Sequence, residues 1–103
     1  MSEILVRIKR AVLEGRYGFS EKARSEMKLD RLTESDVVES IVNAVAIHKT
    51  LRSTSPFRSF PGERLYVIIG TNMDGMPVYT KGKLVSEAGV EKFYFLISSK
   101  RTQ

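Results

Sequence analysis

The apolar positions of the first half of the chain recur at helical spacing. Ile4, Leu5, Ile8, Ala11 and Val12 form one stripe of a 3.6-residue period, which predicts a helix over residues 3–14. Ser2 is suited to cap its start, and Gly15 to supply a left-handed residue after its end. Ser20 opens a second, strongly charged helix to about Leu29, with Ala23 and Met27 on one face. Thr33-Glu34-Ser35-Asp36 has the form of a capping box, in which Asp36 reaches back to the Thr33 backbone N–H. Val37, Val38, Ile41, Val42 and Val45 continue this third helix as an apolar face.

From Thr50 the pattern changes. Leu51 to Glu63 holds Ser53, Thr54, Ser55, Pro56, Ser59, Pro61 and Gly62, too many breakers for a regular element. It reads as a loop carrying Arg52, Phe57, Arg58 and Phe60. Beyond it, Arg64–Gly70 is rich in β-branched and aromatic residues, Met76–Val85 alternates, and Val90–Lys100 returns. Turns at Asn72–Gly75 and Ser86–Gly89 join them. The expectation is one α+β domain over residues 1–103, with N-terminal helices packed on a C-terminal antiparallel β-meander.

Composition narrows the chemistry. The 103 residues, 42% of them apolar, suffice for one modest core. The absence of cysteine excludes disulfides, thiolate metal sites and a cysteine nucleophile, and a lone histidine, His48, leaves little for a zinc site. No metal, no small-molecule cofactor and no membrane partner are expected, and the expected location is the cytoplasm. No Gly-rich phosphate loop, nucleophile elbow or His/Glu metalloprotease motif is present.

Charge adds a partner. The net charge is +5, made up of +2 over residues 1–19, −2 over residues 20–47 and +5 over residues 48–103. A basic second half points to a polyanion. Alternation places Tyr79, Lys81 and Lys83 on one face of the middle strand and Val78, Thr80, Gly82 and Leu84 on the other. Val78 and Leu84 suit the side that packs on the helices. On the last strand Phe93, Phe95 and Ile97 are expected in the core, which sends Lys92, Tyr94, Leu96, Ser98 and Lys100 to the open face. That face would carry lysines and tyrosines with no carboxylate among them. Such a row reads as a solvated face that keeps the sheet from aggregating, or as a surface that neutralises phosphates and stacks on unpaired bases. The second reading also suits RNA cleavage by the neighbouring 2′-hydroxyl, which needs a base, a cation at the phosphorane and an acid for the 5′-oxygen. His48, just past the third helix, reads as a capping or solvated residue, or as a base facing RNA. Arg52 and Arg58 with Phe57 read as a phosphate and base grip, or as a mobile loop pinned by its aromatics.

Several local strings resemble a known family. IKRAVLEGR followed by YGFSEKARSEM is similar to the basic first helix and short second helix of the MqsR-like bacterial toxins and related RelE-superfamily domains. RLTESDVVESI resembles their third-helix start, MPVYTKGKLV their Val-Tyr-x-Lys strand, and FLISSKR their last strand ending Ser-x-Lys. The resemblance implies an mRNA interferase: a metal-independent endoribonuclease acting on mRNA, arresting growth, and silenced by a cognate antitoxin protein. Its motifs give Tyr79, Lys81 and Lys100 as the catalytic set. Charge and reach add Lys83 and Arg101, with Arg58, Lys49 and His48 as further RNA-binding candidates. Lys49 or Arg58 stands for the family's basic residue before the Tyr strand, where the match is poor. A non-catalytic RNA- or antitoxin-binding module and a ParE-like gyrase poison are the alternatives on the same fold.

Overall fold

The computed structural model describes residues 2–103. The first helix, α1 (Glu3–Leu13), starts where Ser2 Oγ accepts from the Leu5 N–H at 3.1 Å, and it buries Leu5, Ile8, Ala11 and Val12. Gly15, with φ of 76°, turns the chain out of the helix. Three residues then form a strand that periodicity did not indicate, β1 (Tyr17–Phe19). Ser20 caps α2 (Glu21–Asp30), which buries Ala23 and Met27 as expected. The capping box at Thr33 and Asp36 opens α3 (Glu34–Asn43), with both of its side chain–backbone bonds formed.

The third helix is shorter than its apolar run. It stops at Asn43, Ala44 is extended, and Val45 is 85% exposed instead of lying on the apolar face. Its last carbonyls find a donor in another helix: Lys9 Nζ donates to Val42 O at 2.8 Å and to Ala44 O at 2.6 Å. A cation at a helix C-terminus offsets the negative end of the dipole, so Lys9 welds α1 to α3.

A short strand, β2 (Lys49–Arg52), takes in Leu51 and Arg52, the first two residues of the stretch read as a loop. The remaining strands lie where the alternation put them: β3 (Arg64–Thr71), β4 (Pro77–Glu87) and β5 (Val90–Arg101). Among the described residues the result is α+β, three helices with a mixed sheet of five strands ordered β1-β5-β4-β3-β2. The antiparallel meander β3–β5 is its centre. β1 adds in parallel to β5, and β2 adds in antiparallel fashion to β3.

All three helices share one core cluster with Ile68, Val78, Tyr94 and Leu96 of the sheet. Close approach is made possible by glycine at two places. A Cβ on Gly70 would run into the Ser40 carbonyl of α3, and one on Gly82 would lie 2.6–2.8 Å from two ring carbons and the hydroxyl of Tyr94. The second contact corrects the expected facing of β5. Tyr94 and Leu96 are buried against the helices, and Phe93, Phe95 and Ile97 are only half-buried on the other face. The glycine on β4 leaves a hollow in the core face that the large Tyr94 ring fills, so shape decides where hydrophobicity favoured the phenylalanines.

Candidate functional site

The sheet face opposite the helices is built from β4 and β5. Tyr79, Lys81 and Lys83 alternate outwards on β4, while Val78, Thr80 and Gly82 between them are buried. Lys100 reaches the same face by an irregularity. The register runs Tyr79 with Lys100 and Lys81 with Ser98, then jumps to Gly82 with Leu96, so Ile97 is an extra residue in β5. An inserted residue resets the alternation of the strand. Without it Lys100 would share the buried side of Tyr94 and Leu96. With it, the Lys100 ammonium lies 5.3 Å from the centre of the Tyr79 ring. The sequence-predicted set Tyr79, Lys81 and Lys100 is therefore gathered on one face, through a bulge that strict alternation did not contain.

Tyr94, expected beside them, is absent from this face. It is fully buried, and burial pushes its phenol far above the usual tyrosine range, so it remains protonated within the core.

Lys83 is also different from its expectation. Its Nζ donates to Glu63 Oε1 at 3.1 Å, and the two side chains retain 15% and 5% of their exposure. The face is therefore not free of carboxylates: Lys83 is spent on Glu63, and Ser98 Oγ, across the strand from Lys81, donates to Glu26 of α2 at 2.7 Å. Glu63 closes the neck of the loop over residues 53–63, where the Ser53 N–H donates to the Glu63 carbonyl at 2.8 Å. Residue patterning had read Glu63 only as the end of the loop. Its signal was compositional: it is the sole acidic residue between Lys49 and Asp74.

The loop rises beside this ion pair and bounds a depression of about 430 Å³. Lys81, Lys83, Phe95 and Ile97 line it from the sheet, and Phe57, Arg58 and Glu63 from the loop. Arg58 is brought to the site by its own loop, with Nη1 donating to the Ser55 carbonyl at 2.9 Å. Lys49 faces Val67 across the sheet, and Val67 faces Lys81, which sets the two lysines in one cross-strand row.

Two candidates lie elsewhere. Arg101 pairs in register with Val78, on the helical side, and its backbone N–H donates to Asp30 at 2.8 Å. His48 precedes β2 at the far edge of the sheet, exposed, with its backbone N–H donating to the Val67 carbonyl. A β2–β3–β4–β5 order keeps it away from Lys100. The end of α3 at Asn43 is the cause, because it frees the chain to enter β2.

Lys81 and Lys100 form no ion pair with the described residues, whereas four other cations, Arg7, Arg16, Arg24 and Lys83, do. The face offers unopposed ammonium groups, a phenol, and aromatic and aliphatic surface at Phe93, Phe95 and Ile97. Chemically it can neutralise phosphate, stack on a base and donate a phenolic proton. Among the described residues no three His, Asp or Glu side chains gather closely enough to hold a metal ion, and no helix is long and apolar enough to cross a membrane. Compared with family models, curated proteins and solved structures, the chain matches none.

Proposed function

We infer that the protein is an RNA-cleaving toxin of the MqsR-like, RelE-superfamily kind, an mRNA interferase held in check by a partner antitoxin. The observation that carries this reading is the meeting of Tyr79, Lys81 and Lys100 on a sheet face that the helices leave open. In this reading Lys81 and Lys100 hold the scissile phosphate and offset the charge that builds on its oxygens. The 2′-oxygen attacks phosphorus as its proton passes to water, the bond from phosphorus to the 5′-oxygen breaks, and Tyr79 delivers a proton to that oxygen and regains one from solvent. The products are a 2′,3′-cyclic phosphate and a free 5′-hydroxyl. Arg58 and Lys49 extend the cationic track along the strand. Lys83, Arg101 and His48 have no part in the phosphate clamp.

The test is incubation of the purified protein with a defined mRNA in the presence of a chelator, with the new ends mapped by primer extension. Cuts bearing 2′,3′-cyclic phosphate are expected, and alanine at Tyr79 or Lys100 should abolish them and relieve growth arrest while the fold persists. Salt-sensitive binding without cleavage products would replace this reading with a binding module. Intact RNA together with altered DNA supercoiling would replace it with a gyrase poison.

A further inference from the structure

The depression beside the phosphate clamp has a feature that phosphate neutralisation does not use. Its wall holds an almost fully enclosed ion pair, Lys83 with Glu63, in a lining that mixes Phe57, Phe95 and Ile97 with the hydroxyls of Ser53 to Ser55. An ion pair this enclosed carries a desolvation cost and is weak evidence for stability. Lys83 takes Oε1 of the carboxylate, and Oε2 accepts no hydrogen bond from the described residues. Read along its edge, the pair offers an ammonium donor beside carboxylate acceptors. The Watson–Crick edge of guanine is the complement: an O6 acceptor followed by the N1–H and N2–H donors. Cytosine and adenine each offer the carboxylate a single exocyclic amine, and uracil offers a single ring N–H. Phe57, 89% exposed on the loop, and half-buried Phe95 on β5 supply ring surface for stacking.

We propose that this depression is a base-reading pocket that takes an unpaired guanine of single-stranded RNA, with Glu63 accepting from N1–H and N2–H and Lys83 donating to O6. The inference rests on the RNA-cleaving reading above and names the substrate feature that would direct it. Lys81 lines the pocket and also belongs to the clamp, so a guanine seated here lies beside the phosphate that is cut.

The experiment uses short single-stranded RNAs made uncleavable by 2′-deoxy substitution, each with one guanine, inosine, adenine, cytosine or uracil in a constant context. Direct binding is measured on the full chain. Inosine lacks only the N2 amine, so the ligand series tests the pocket without relying on any variant to fold. The guanine RNA should bind at least ~5-fold tighter than the inosine RNA, the lower end for loss of a specific base contact. In Glu63→Gln, whose amide retains one acceptor, that preference of guanine over inosine should shrink towards unity. Base-independent binding in a protein that still cleaves RNA would overturn the pocket and leave the nuclease reading standing. Failure to bind or cleave any RNA would overturn both.

Discussion

Tyr94 is a residue whose burial is only half compensated. Its ring is fully enclosed over Gly82, and its hydroxyl has no hydrogen-bond partner. An enclosed hydroxyl left unpaired costs on the order of 1–3 kcal/mol, so Tyr94→Phe should raise stability at neutral pH by about 1 kcal/mol in urea unfolding. The same residue sets an alkaline limit. Its folded pKa lies above the unfolded value of about 10, so the folded state keeps a proton that the unfolded chain releases. Its contribution is complete below pH 10 and falls above it, by up to about 1.4 kcal/mol per pH unit. Tyr94→Phe should flatten that decline. Gly82→Ala tests the packing from the opposite side: its Cβ would meet the ring at 2.6 Å, and a loss of about 1–3 kcal/mol is expected. Gly18→Ala, whose nearest neighbour atom is 3.9 Å away, should be close to neutral on steric grounds. Equal effects of the two alanines would refute the hollow as the reason for the facing of β5.

At the scale of elements, α3 is held at both ends by side chains from other places in the chain. Asp36 completes the capping box and also accepts from Asn72 Nδ2 at 3.1 Å, tying the turn between β3 and β4 to the helix start. The Thr33 backbone N–H first, then Asn72 and the Thr33 side chain, hold the Asp36 carboxyl below its ordinary value. A lowered folded pKa means the contribution is present above the unfolded value near 4 and is lost as pH falls below it. Asp36→Ala, which removes the carboxylate itself, should therefore cost about 1 kcal/mol at pH 7, and the difference from the parent should narrow below pH 4. A gap that stays constant down to pH 2 would show that the box is not coupled to the carboxylate. The two caps of this helix also mark what the chain discloses of its own fold. Its start is written in four adjacent residues and was legible, as were the centres of β3, β4 and β5. Its end depends on Lys9, more than thirty positions earlier, and was not. β1 and β2 escaped for a related reason: three or four residues are too few for a period, and their pairing partners are remote. The facing of β5 was misread because aromatic side chains occupy both of its faces, and only the register opposite Gly82 separates them. Tyr79 and Lys100 nonetheless share a face, because the inserted Ile97 restores Lys100 to the side of Tyr79.

Over the whole molecule, the placement of carboxylates governs where the positive charge is felt. Glu26 accepts from Ser98 Oγ and the Ser99 N–H, Asp30 from the Arg101 N–H, and Glu39 from the Met73 N–H. Glu91 pairs with Arg7 at 2.7 Å. Glu26 and Asp30 of α2 and Glu39 of α3 are thereby engaged along the edge of β5 and the β3–β4 turn. On the open face Glu63 is matched by Lys83, and Lys49, Arg58, Lys81 and Lys100 remain as its outward cations. The +5 net charge is then weighted towards the open sheet, the side that an RNA strand would meet under the proposed function. Four phosphate contacts on single-stranded RNA imply a slope of about −3 in log affinity against log salt, from about 0.7 per contact. Lys81→Ala and Lys100→Ala should each reduce its magnitude by about 0.7. Arg101→Ala, on the helical side of β5, and Arg10→Ala, exposed on α1, should leave it unchanged. Salt titrations of a fixed RNA against the four variants decide the matter. Should Arg101 or Arg10 lower the slope as much as Lys100, RNA would be meeting the helical layer, and the open face would lose its claim to the strand.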